Sequence, residues 1–467
     1  MQSSIDKAGL GGPLLGQPSC DRVGSTTLYS LLANLTATSR ASAETLAPGI
    51  PYKALVCLFL DGGNDSYNML VPLEPEEYAR YRTVRTGLAL EKEQLLEIGD
   101  SPGSGRRFGV HSAMPEVRDL YAEGKLSFVC NVGTLVEPTN LEGLNNLTAR
   151  LPLGLYSHAD QSMHWQTATP DLRGSAGWGG RIAEILQAVN EREGVSMNIS
   201  LSGTNIFQSG RSLVPYSITP DGASLLEGYA DPARPFFRKA VDSMLELKYQ
   251  NLLKQTYSKL TRDSIDAAAK FFLAWNNTAP LATVFPDTAV GKSLRGVAQG
   301  IAARGNLGMR RQTFFARSGG WDHHDEVLAT QAGMLRHISE AVGAFWRAMG
   351  ELGLQDDVVL FTVSDFGRTL SSNGRGTDHG WGGNQFVLGG RHAGSPLYGR
   401  YPDDLSFGNP LDTGRGRLIP TMSVDEYFCE LALWLGVAPA DISYVLPNVG
   451  RFCDPAKAPL GMFPFGS

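Results

Sequence analysis

A run of seven apolar residues that ends abruptly in a polar, glycine-containing loop is the feature that most constrains the fold. The run is Ala54–Leu60, and Asp61, Gly62 and Gly63 follow it. A continuous apolar run of this length is typical of a strand that is buried on both faces, as in a parallel sheet. The sequence therefore predicts an α/β protein with a mostly parallel central sheet flanked by helices.

Strand-like and helix-like segments alternate through the rest of the chain. A strand, helix, strand unit implies parallel pairing through a right-handed crossover. The later predicted strands are Leu126–Val132, Thr313–Ala316, Asp357–Val363 and Gln385–Gly390, and the predicted helices are Pro115–Gly124, Pro232–Asn277, Val327–Leu352 and Val424–Gly436. The stretch Pro232–Asn277 contains no candidate ligand, so we expect its helices to cover the sheet or to form a cap.

Composition narrows the possible partners. The chain has 467 residues, of which 42% are hydrophobic and 19% charged, a balance typical of a soluble globular protein. Its net charge of -6 gives no attraction to nucleic acid or to an anionic lipid surface. No apolar run approaches the roughly 20 residues that are needed to cross a bilayer. We therefore expect neither a nucleic-acid partner nor a membrane span.

The predicted organisation is one α/β domain over residues 51–467, with a helical insertion near residues 230–305. We expect residues 1–50 to be a poorly ordered N-terminal extension or a degenerate export segment. In this region Leu28–Leu35 is only weakly apolar, and no paired arginines precede it.

The five cysteines are widely spaced and form no C-x-x-C pair, so the sequence predicts neither a zinc knuckle nor a redox motif. Cys57 and Cys130 lie within strand-like runs, and we expect them to be buried as small apolar residues. Cys429 and Cys453 are the two that could pair with each other, although nothing in their local sequence requires it.

Loops that carry acids, histidines or serine follow the predicted strands. In an open parallel sheet, ligands bind outside the carboxyl ends of the strands, so loops far apart in sequence converge there. The loops are Asp61–Asp65, Ser157-His158, Gly320–His324, Ser364–Gly367 and Asp378–Gly380. Their carboxylates and imidazoles predict the site of a metal-assisted hydrolase.

Two of these loops contain pairs of residues suited to a cation. Asp61 and Asp65 flank a double glycine, which permits close approach of a metal or an anion, although either aspartate alone is equally typical of a helix cap. In an extended loop, Asp322 and His324 lie on the same side while His323 points elsewhere. Carboxylate and imidazole are ordinary zinc ligands, so we favour a metal site here over a simple helix N-terminus.

Two further loops near the carboxyl end add candidates. Asp365 ends a buried strand, where its carboxylate needs a partner, and either Arg368 or a cation could supply it. Asp378 and His379 lie in a glycine-rich loop that has no packing reason to hold a histidine.

Ser157 lies directly before a short predicted helix. A hydroxyl at a helix N-terminus beside a metal could act as a nucleophile, because the cation lowers its pKa and the helix dipole stabilises an anionic transition state. The alternative is an ordinary N-cap serine. His158, the next residue, is an alternative metal ligand.

Taken together, five motifs resemble the DUF1501 family of bacterial proteins, over about Tyr52 to Gly436. The motifs are Leu60–Asn68, Tyr156–Gln161, Gly319–His324, Ser364–Thr369 and Gly376–Gly380. That family is similar to the alkaline phosphatase and sulfatase superfamily, whose members use an α/β sheet and often two metals to hydrolyse phosphate or sulfate esters. The resemblance implies an alkaline-phosphatase-like fold and a periplasmic or extracellular location. The chain has no clear signal peptide, which leaves a cytoplasmic location open.

The resemblance also implies roles by position. Asp61 or Asp65 would be the aspartate after the first strand, with Asp65 favoured, and Ser157 would lie near the nucleophile position. The later metal ligands would be Asp322, His324, Asp365 and His379. Many members of the superfamily have Asp-His where this chain has Asp365-Phe366, and Asp378-His379 is the alternative source of that pair.

The sequence therefore predicts a metal-dependent hydrolase of phosphate or sulfate esters that uses one or two divalent ions. Zinc is favoured by the mixed ligands, with manganese, calcium or magnesium as alternatives. Ser157 or a water molecule activated by the metal would attack a small anionic ester, and Arg368 would hold the anion. The alternative is a non-catalytic, exported binding or assembly protein that keeps the fold with a degenerate metal site. The sequence does not specify an oligomer.

Overall fold

The computed structural model describes residues 50–100, 105–190, 194–211, 213–223, 225–229, 231–392 and 397–464. The predicted N-terminal extension lies outside these residues, apart from residue 50. Within the described ranges, none of the helices combines the length and the apolar character that crossing a membrane requires.

The described residues form both strands and α-helices. The strands are β1 (Lys53–Asp61), β2 (Leu70–Pro72), β3 (Leu95–Asp100), β4 (Arg107–His111), β5 (Leu126–Gly133), β6 (Asn198–Ser200), β7 (Tyr216–Thr219), β8 (Gly222–Ala223), β9 (Arg311–Gly319), β10 (Val358–Ser364), β11 (Gly383–Gly389), β12 (Leu397–Gly399) and β13 (Met422–Ser423). The helices are α1 (Ser66–Met69), α2 (Pro75–Arg85), α3 (Pro115–Ala122), α4 (Leu141–Asn145), α5 (His158–Thr167), α6 (Trp178–Leu186), α7 (Pro235–Glu246), α8 (Leu252–Asn276), α9 (Ala289–Ala302), α10 (Arg304–Leu307), α11 (Val327–Glu351), α12 (Val424–Leu435) and α13 (Ile442–Val445).

A ten-stranded sheet forms the centre of the molecule. Nine of its strands lie in the order β12-β5-β11-β10-β1-β9-β6-β7-β8, and β13 pairs with β5. β1 pairs in parallel with both β9 and β10, whereas β11 runs antiparallel to both β10 and β5. A separate three-stranded sheet has the order β2-β4-β3. The predicted α/β fold, with a mostly parallel central sheet flanked by helices, is confirmed.

The strand directions bring several loops to one edge of the sheet. β1, β9 and β10 end at this edge, and β11 begins there because it runs in the opposite direction. We call it the site edge. Loops that follow the parallel strands and the loop that precedes β11 are therefore brought together at the same place.

The hydrophobic core lies on both faces of the sheet, as the apolar run predicts. Side chains of β1 alternate between two clusters, with Val56 and Leu58 in one and Leu55, Cys57 and Phe59 in the other. A strand whose two faces are both packed can have no regular polar positions, and β1 has none between residues 54 and 60. Packing on both faces thus fixes the position of β1, and with it the start of the loop at the site edge.

The carboxyl-terminal helix α12 shows how local sequence fixes an element. Ser423 caps its first turn by accepting a hydrogen bond from the N–H of Glu426, and the Glu426 carboxylate accepts the N–H of Ser423 in return. Gly436 ends the helix with φ of 109°, a left-handed conformation that glycine adopts without steric cost. The helix covers one face of the sheet and contributes to its core.

Asp65 takes part in a buried ion pair. Its carboxylate accepts a hydrogen bond from the guanidinium of Arg85, and both side chains are 0% exposed. Arg85 also donates to Asn68 Oδ1 and to the backbone carbonyl of Thr369, at 3.1 Å each. The pair therefore ties α1 and α2 to the loop after β10.

Replacing Arg85 with methionine is expected to destabilise the protein strongly, because the change leaves the Asp65 carboxylate buried without its cation. The expected loss is about 3–5 kcal/mol of unfolding free energy, or a fall in Tm of roughly 3–5 °C for a chain of this size. Arg82→Met is the matched control, since Arg82 pairs with Glu91 at 2.9 Å on the surface and should cost less than about 1 kcal/mol. Equal losses in calorimetry would contradict the assignment.

Candidate functional site

Five segments meet at the site edge and supply its polar side chains. β1 ends in Asp61, the loop after β9 carries Asp322 and His324, and Asp365 follows β10 directly. Asp378 and His379 precede β11, and His158 is the first residue of α5.

The double glycine after β1 makes room for neighbouring loops. Gly62 and Gly63 have φ values of 121° and 86°, which favour glycine. A Cβ on Gly62 would lie 2.6 Å from the backbone nitrogen of Asp322, and one on Gly63 would lie 2.5 Å from the ring of Phe366. The absence of a Cβ at both glycines therefore leaves room for neighbouring loops of the protein.

Three ligand-type atoms form a small triangle at this edge. His324 Nε2 lies 3.0 Å from His379 Nε2 and 2.9 Å from Asp322 Oδ1. His379 Nε2 lies 3.2 Å from the same carboxylate oxygen. Asp322 and His324 reach the same point from alternate positions of one loop, while the intervening His323 is buried with 5% exposure.

The hydrogen bonds of the two Nδ1 atoms, in His324 and His379, determine whether the Nε2 atoms carry lone pairs. His379 Nδ1 lies 2.8 Å from the backbone carbonyl of Tyr156, and because a carbonyl can only accept, Nδ1 must donate. His324 Nδ1 lies 3.1 Å from Asp378 Oδ1, where it donates to a carboxylate. In the neutral imidazoles both Nε2 atoms therefore carry lone pairs, and both point towards the Asp322 carboxylate.

The outer partners of these histidines are themselves fixed. Asp378 accepts from Arg415 at 2.5 Å and from the Asn373 side chain at 3.2 Å. Burial opposes ionisation of Asp378, but its hydrogen bonds to Asn373, Arg415 and His324 outweigh burial and hold its pKa below the ordinary value. A carboxylate behind a histidine is the usual arrangement around protein metal ions, since it fixes the ring and its tautomer.

The triangle fits a divalent ion. Neighbouring ligand atoms of a tetrahedral site with bonds of roughly 2.0–2.1 Å lie about 3.3 Å apart, close to the three edges found here. Burial, together with the charges of His158 and Arg368, lowers the pKa of His379 and keeps its imidazole neutral, the form that binds metals. Two imidazoles and a carboxylate suit zinc or manganese better than calcium or magnesium, which prefer oxygen ligands.

His158 and Asp365 form an acid–base pair beside the triangle. His158 Nδ1 lies 2.7 Å from Asp365 Oδ2, and the N–H of Gly62 donates to Asp365 Oδ1 at 3.1 Å. Asp365 is 1% exposed, so both of its oxygens are occupied within the protein. Its hydrogen bond raises the pKa of His158 against the opposing effect of burial, and the charge of Asp322 adds to the rise.

A second combination of ligands is geometrically looser. His158, Asp322 and His379 each offer an atom within 4.8 Å of the others, and His158 Nε2 lies 3.2 Å from Asp322 Oδ2. The atoms of Asp322, His324 and His379 lie no more than 3.2 Å apart. We therefore favour the tighter set as metal ligands and place His158 beside them.

Phe366 packs under the imidazoles. Its ring stacks on that of His379 with centroids 4.6 Å apart, and it lies 4.9 Å from the ring of His158. Phe366 therefore packs against the rings of both histidines, next to the Asp365 carboxylate.

Arg368 is bound within the protein. Its side chain is 0% exposed, and it donates to Asp322 Oδ1 at 2.6 Å and to Thr377 Oγ1 at 3.1 Å. Burial opposes ionisation of Asp322, but the hydrogen bond and charge of Arg368, with the nearby histidines, hold the pKa of Asp322 below its ordinary value. Arg368 thus fixes a proposed ligand, which differs from the anion-holding role expected from the sequence.

An open cavity of about 560 Å³ adjoins the cluster, within the usual size range for small-molecule sites. Its polar lining includes Asp61, His158, Ser162, Arg317, Asp322 and Asp365. Asp61 accepts a hydrogen bond from Arg317, which is 56% exposed. Asp61 therefore faces the cavity, paired with an arginine that remains accessible to a ligand.

Two residues expected at the site make other contacts. Asp65 is in the buried pair with Arg85, so we leave it out of the proposed ligands. Ser157 is the N-cap of α5, where its Oγ accepts from the N–H of Asp160 at 3.5 Å, and it is not among the described residues that line the cavity. Its geometry matches the N-cap alternative.

Sequence reasoning did not single out Arg317 or Arg415. Arg317 lies near the carboxyl end of β9, and a charged residue at the end of a buried strand is the signal that could have identified it. Arg415 reaches Asp378 from a distant loop, which no local pattern reveals.

The fold and the site together define an α/β protein with a candidate metal centre at the carboxyl ends of its parallel strands. Similar solved structures include Ps i-CgsB in complex with k-i-k-neocarrahexaose (12% identity, TM-score 0.33, covering 83% of this chain and 72% of that chain). Another is Thermus thermophilus alkaline phosphatase (13% identity, TM-score 0.24, covering 69% of this chain and 61% of that chain).

No curated protein matches the sequence. Residues 243–409 match the family described as "Protein of unknown function (DUF1501)", which confirms the predicted resemblance over this part of the chain.

Protein purified after growth with zinc is expected to contain one zinc ion per chain, and His379→Ala should lose it because one of three ligands is removed. His337→Ala is the matched control, since His337 is exposed on α11. Metal content is measured by elemental mass spectrometry. Equal zinc in the two variants would contradict the assigned ligands, and so would a wild-type protein that takes up no divalent ion.

Proposed function

We propose that this protein is a metal-dependent hydrolase of phosphate or sulfate esters, acting in the cavity at the site edge. The observation that carries the proposal is the convergence of three electron-pair donors, Asp322 Oδ1, His324 Nε2 and His379 Nε2, within 3.2 Å of one another. A proton can bridge only two of these atoms, whereas a metal ion could bind all three, with Asp322 Oδ1 keeping the hydrogen bond from Arg368.

The proposed ligands of the ion are Asp322, His324 and His379, with zinc favoured and manganese the main alternative. Held by these three residues, a divalent ion would supply Lewis-acid stabilisation of the charge that develops on the ester oxygens and would lower the pKa of water.

His158, assisted by Asp365, is proposed to transfer a proton from the attacking water to the leaving group. Water attacks the phosphorus or sulfur atom, His158 Nε2 accepts one of its protons, and the bond to the leaving oxygen breaks. The imidazolium returns that proton to the departing alkoxide, so that an alcohol and the inorganic anion are released. Asp365, hydrogen-bonded to Nδ1 at 2.7 Å, orients the ring and stabilises its charged form. Water replaces Ser157 as the proposed nucleophile.

The charges around the cavity suit an anionic substrate. Three carboxylates pair with arginines: Asp61 with Arg317, Asp322 with Arg368, and Asp378 with Arg415. Among the described residues the fourth carboxylate, Asp365, pairs with His158 and an N–H group, so with His158 neutral the network carries about one net negative charge. A divalent cation would change its sign and attract an anion. Arg317, which lines the cavity and is half-exposed, is the residue proposed to contact the ester's charged group.

Removal of the metal is expected to abolish hydrolysis. The assays use 4-nitrophenyl phosphate, bis(4-nitrophenyl) phosphate and 4-nitrophenyl sulfate, before and after dialysis against a chelator. Activity on at least one substrate should fall at least 100-fold and return when zinc or manganese is added, because charge stabilisation at the ester is lost and then restored. Undiminished activity in metal-free protein would disprove the proposal. Metal binding without hydrolysis of any ester would instead favour the non-catalytic binding protein.

Substitution of His158 should separate proton transfer from metal binding. His158→Asn is expected to keep the metal content of the wild type but to lower kcat about 10²–10⁴-fold, the usual contribution of general acid–base catalysis. His324→Asn should lose both metal and activity. If His158→Asn also lost the metal, His158 would be a ligand and its assignment to proton transfer would be wrong.

A further inference from the structure

Exposed apolar side chains are concentrated in one helical region that takes no part in the candidate site. Residues 235–262 comprise α7, the turn that follows it and the first part of α8, and we call them the helical hairpin. They contain seven of the seventeen large apolar side chains that are exposed among the described residues: Phe236, Phe237, Met244, Leu247, Leu253, Tyr257 and Leu260. Such a concentration on a protein surface is typical of an interaction site.

The exposed apolar residues of each helix recur on one side of it. In α8, Leu253, Tyr257 and Leu260 follow each other at steps of four and three residues, the spacing of one helical face. In α7, Phe236 and Met244 lie about two turns apart. Apolar stripes of this kind normally face a core, but Phe236 is 82% exposed and Leu253 is 80% exposed. The stripes are therefore available to a partner.

The hairpin is anchored to the rest of the protein through the second half of α8. There Phe271 is fully buried, and its ring centroid lies 5.2 Å from that of Tyr216 on β7. The hairpin itself is hardly buried: α7 has no buried side chain among its described residues, and Ser258 is the buried one that the structure describes between residues 253 and 266. Because β7 and β8 are the last strands of the sheet, the hairpin extends from its end.

The charge of the hairpin is opposite in sign to that of the whole chain. Residues 235–262 contain six lysines or arginines and two acids, a net charge of +4, whereas the whole chain carries -6. One of the two acids, Asp242, is already paired with Arg262 at 2.6 Å. The lysines of the hairpin are all exposed: Lys239, Lys248, Lys254 and Lys259. The whole-chain charge, which predicts no lipid partner, does not reveal this local cationic surface.

We propose that the helical hairpin docks on an anionic lipid surface. Its bulky apolar side chains enter the headgroup region, and the nearby lysines contact the lipid phosphates, as in amphipathic helices that lie in a membrane interface. This inference does not depend on the proposed hydrolase activity.

A second copy of the chain fits this surface less well. A two-fold dimer uses the same patch on both subunits, so two surfaces with a net charge of +4 each would face one another. Lysine is also depleted at protein–protein interfaces. At a lipid surface, in contrast, its long apolar stem lies along the acyl boundary while the ammonium group stays at the phosphates. The charge of the hairpin thus favours lipid over protein.

Vesicle flotation of the full-length chain tests the proposal. The vesicles contain either phosphatidylcholine alone or equal parts of phosphatidylcholine and phosphatidylglycerol. The protein is expected to float with the anionic vesicles only. Binding should weaken when the ionic strength is raised from about 0.1 M to about 1 M, because salt screens the attraction between lysine and phosphate.

Removal of three charges tests the role of the lysines. The variant combines Lys248→Gln, Lys254→Gln and Lys259→Gln, and its binding to anionic vesicles should weaken about 10²-fold. The matched control makes the same change at three exposed lysines elsewhere: Lys92→Gln, Lys292→Gln and Lys457→Gln. This control has the same net charge as the variant and should bind as the wild type does.

Removal of two apolar side chains tests the role of the stripes. Phe236→Gln combined with Leu253→Gln should weaken binding by a factor of at least about 10, since less apolar surface enters the headgroup region. Val284→Gln is the matched control, because Val284 is 83% exposed outside the hairpin, and it should leave binding unchanged. Circular dichroism spectra that match the wild type would show that the variants are folded.

Three results would overturn the proposal. The first is a protein that floats with neither kind of vesicle, and the second is equal binding to both kinds, which would leave the lysines without a role. The third is a dimer in light scattering that Phe236→Gln with Leu253→Gln converts to a monomer, because the surface would then belong to a second copy of the chain.

Discussion

Backbone pairing of β1 between β9 and β10 is the constraint on which the candidate site depends. The parallel register places Asp61 opposite Gly319 and Leu60 opposite Ser364, so the three following loops begin at the same level of the sheet. A slip of one residue would displace a loop by about 3.3 Å and turn its side chains to the other face. That displacement exceeds the 2.9–3.2 Å separations of the ligand-type atoms. The two-sided core of β1 prevents the slip, because every residue of the run is already packed.

The sequence predicts the strands and helices of the molecule well because local patterns of apolar residues specify them. The predicted strand Asp357–Val363 is β10, Val358–Ser364, and the predicted helix Val327–Leu352 is α11, Val327–Glu351. Convergence of the loops follows from parallel pairing alone. The direction of β11 does not, since it is set by pairing with β10 and β5, far away in the chain. This antiparallel strand is the reason that His379 reaches the site from a loop before a strand.

The contacts of individual side chains are what local sequence could not reveal. Asp61 and Asp65 flank the same glycine pair, yet Asp61 faces the cavity with Arg317 and Asp65 is buried with Arg85. Which aspartate is accessible depends on where the chain turns after Gly63, and there the ring of Phe366 packs against the backbone. Arg368 is a similar case, because an arginine near a strand end can hold either a ligand or a neighbouring carboxylate. In this structure the Arg368 side chain forms an ion pair with the carboxylate of Asp322.

The three ligand-type residues are each held by a hydrogen bond to a group outside the triangle in which their lone pairs meet. Three lone pairs that face one point repel each other, so the loops would separate unless other bonds held them. Asp378 holds His324 from behind, the carbonyl of Tyr156 holds His379, and Arg368 holds Asp322. These bonds orient the three residues without any ion, so in the proposed metal site the ligands would already be in place. A bound cation would offset the repulsion at all three atoms together.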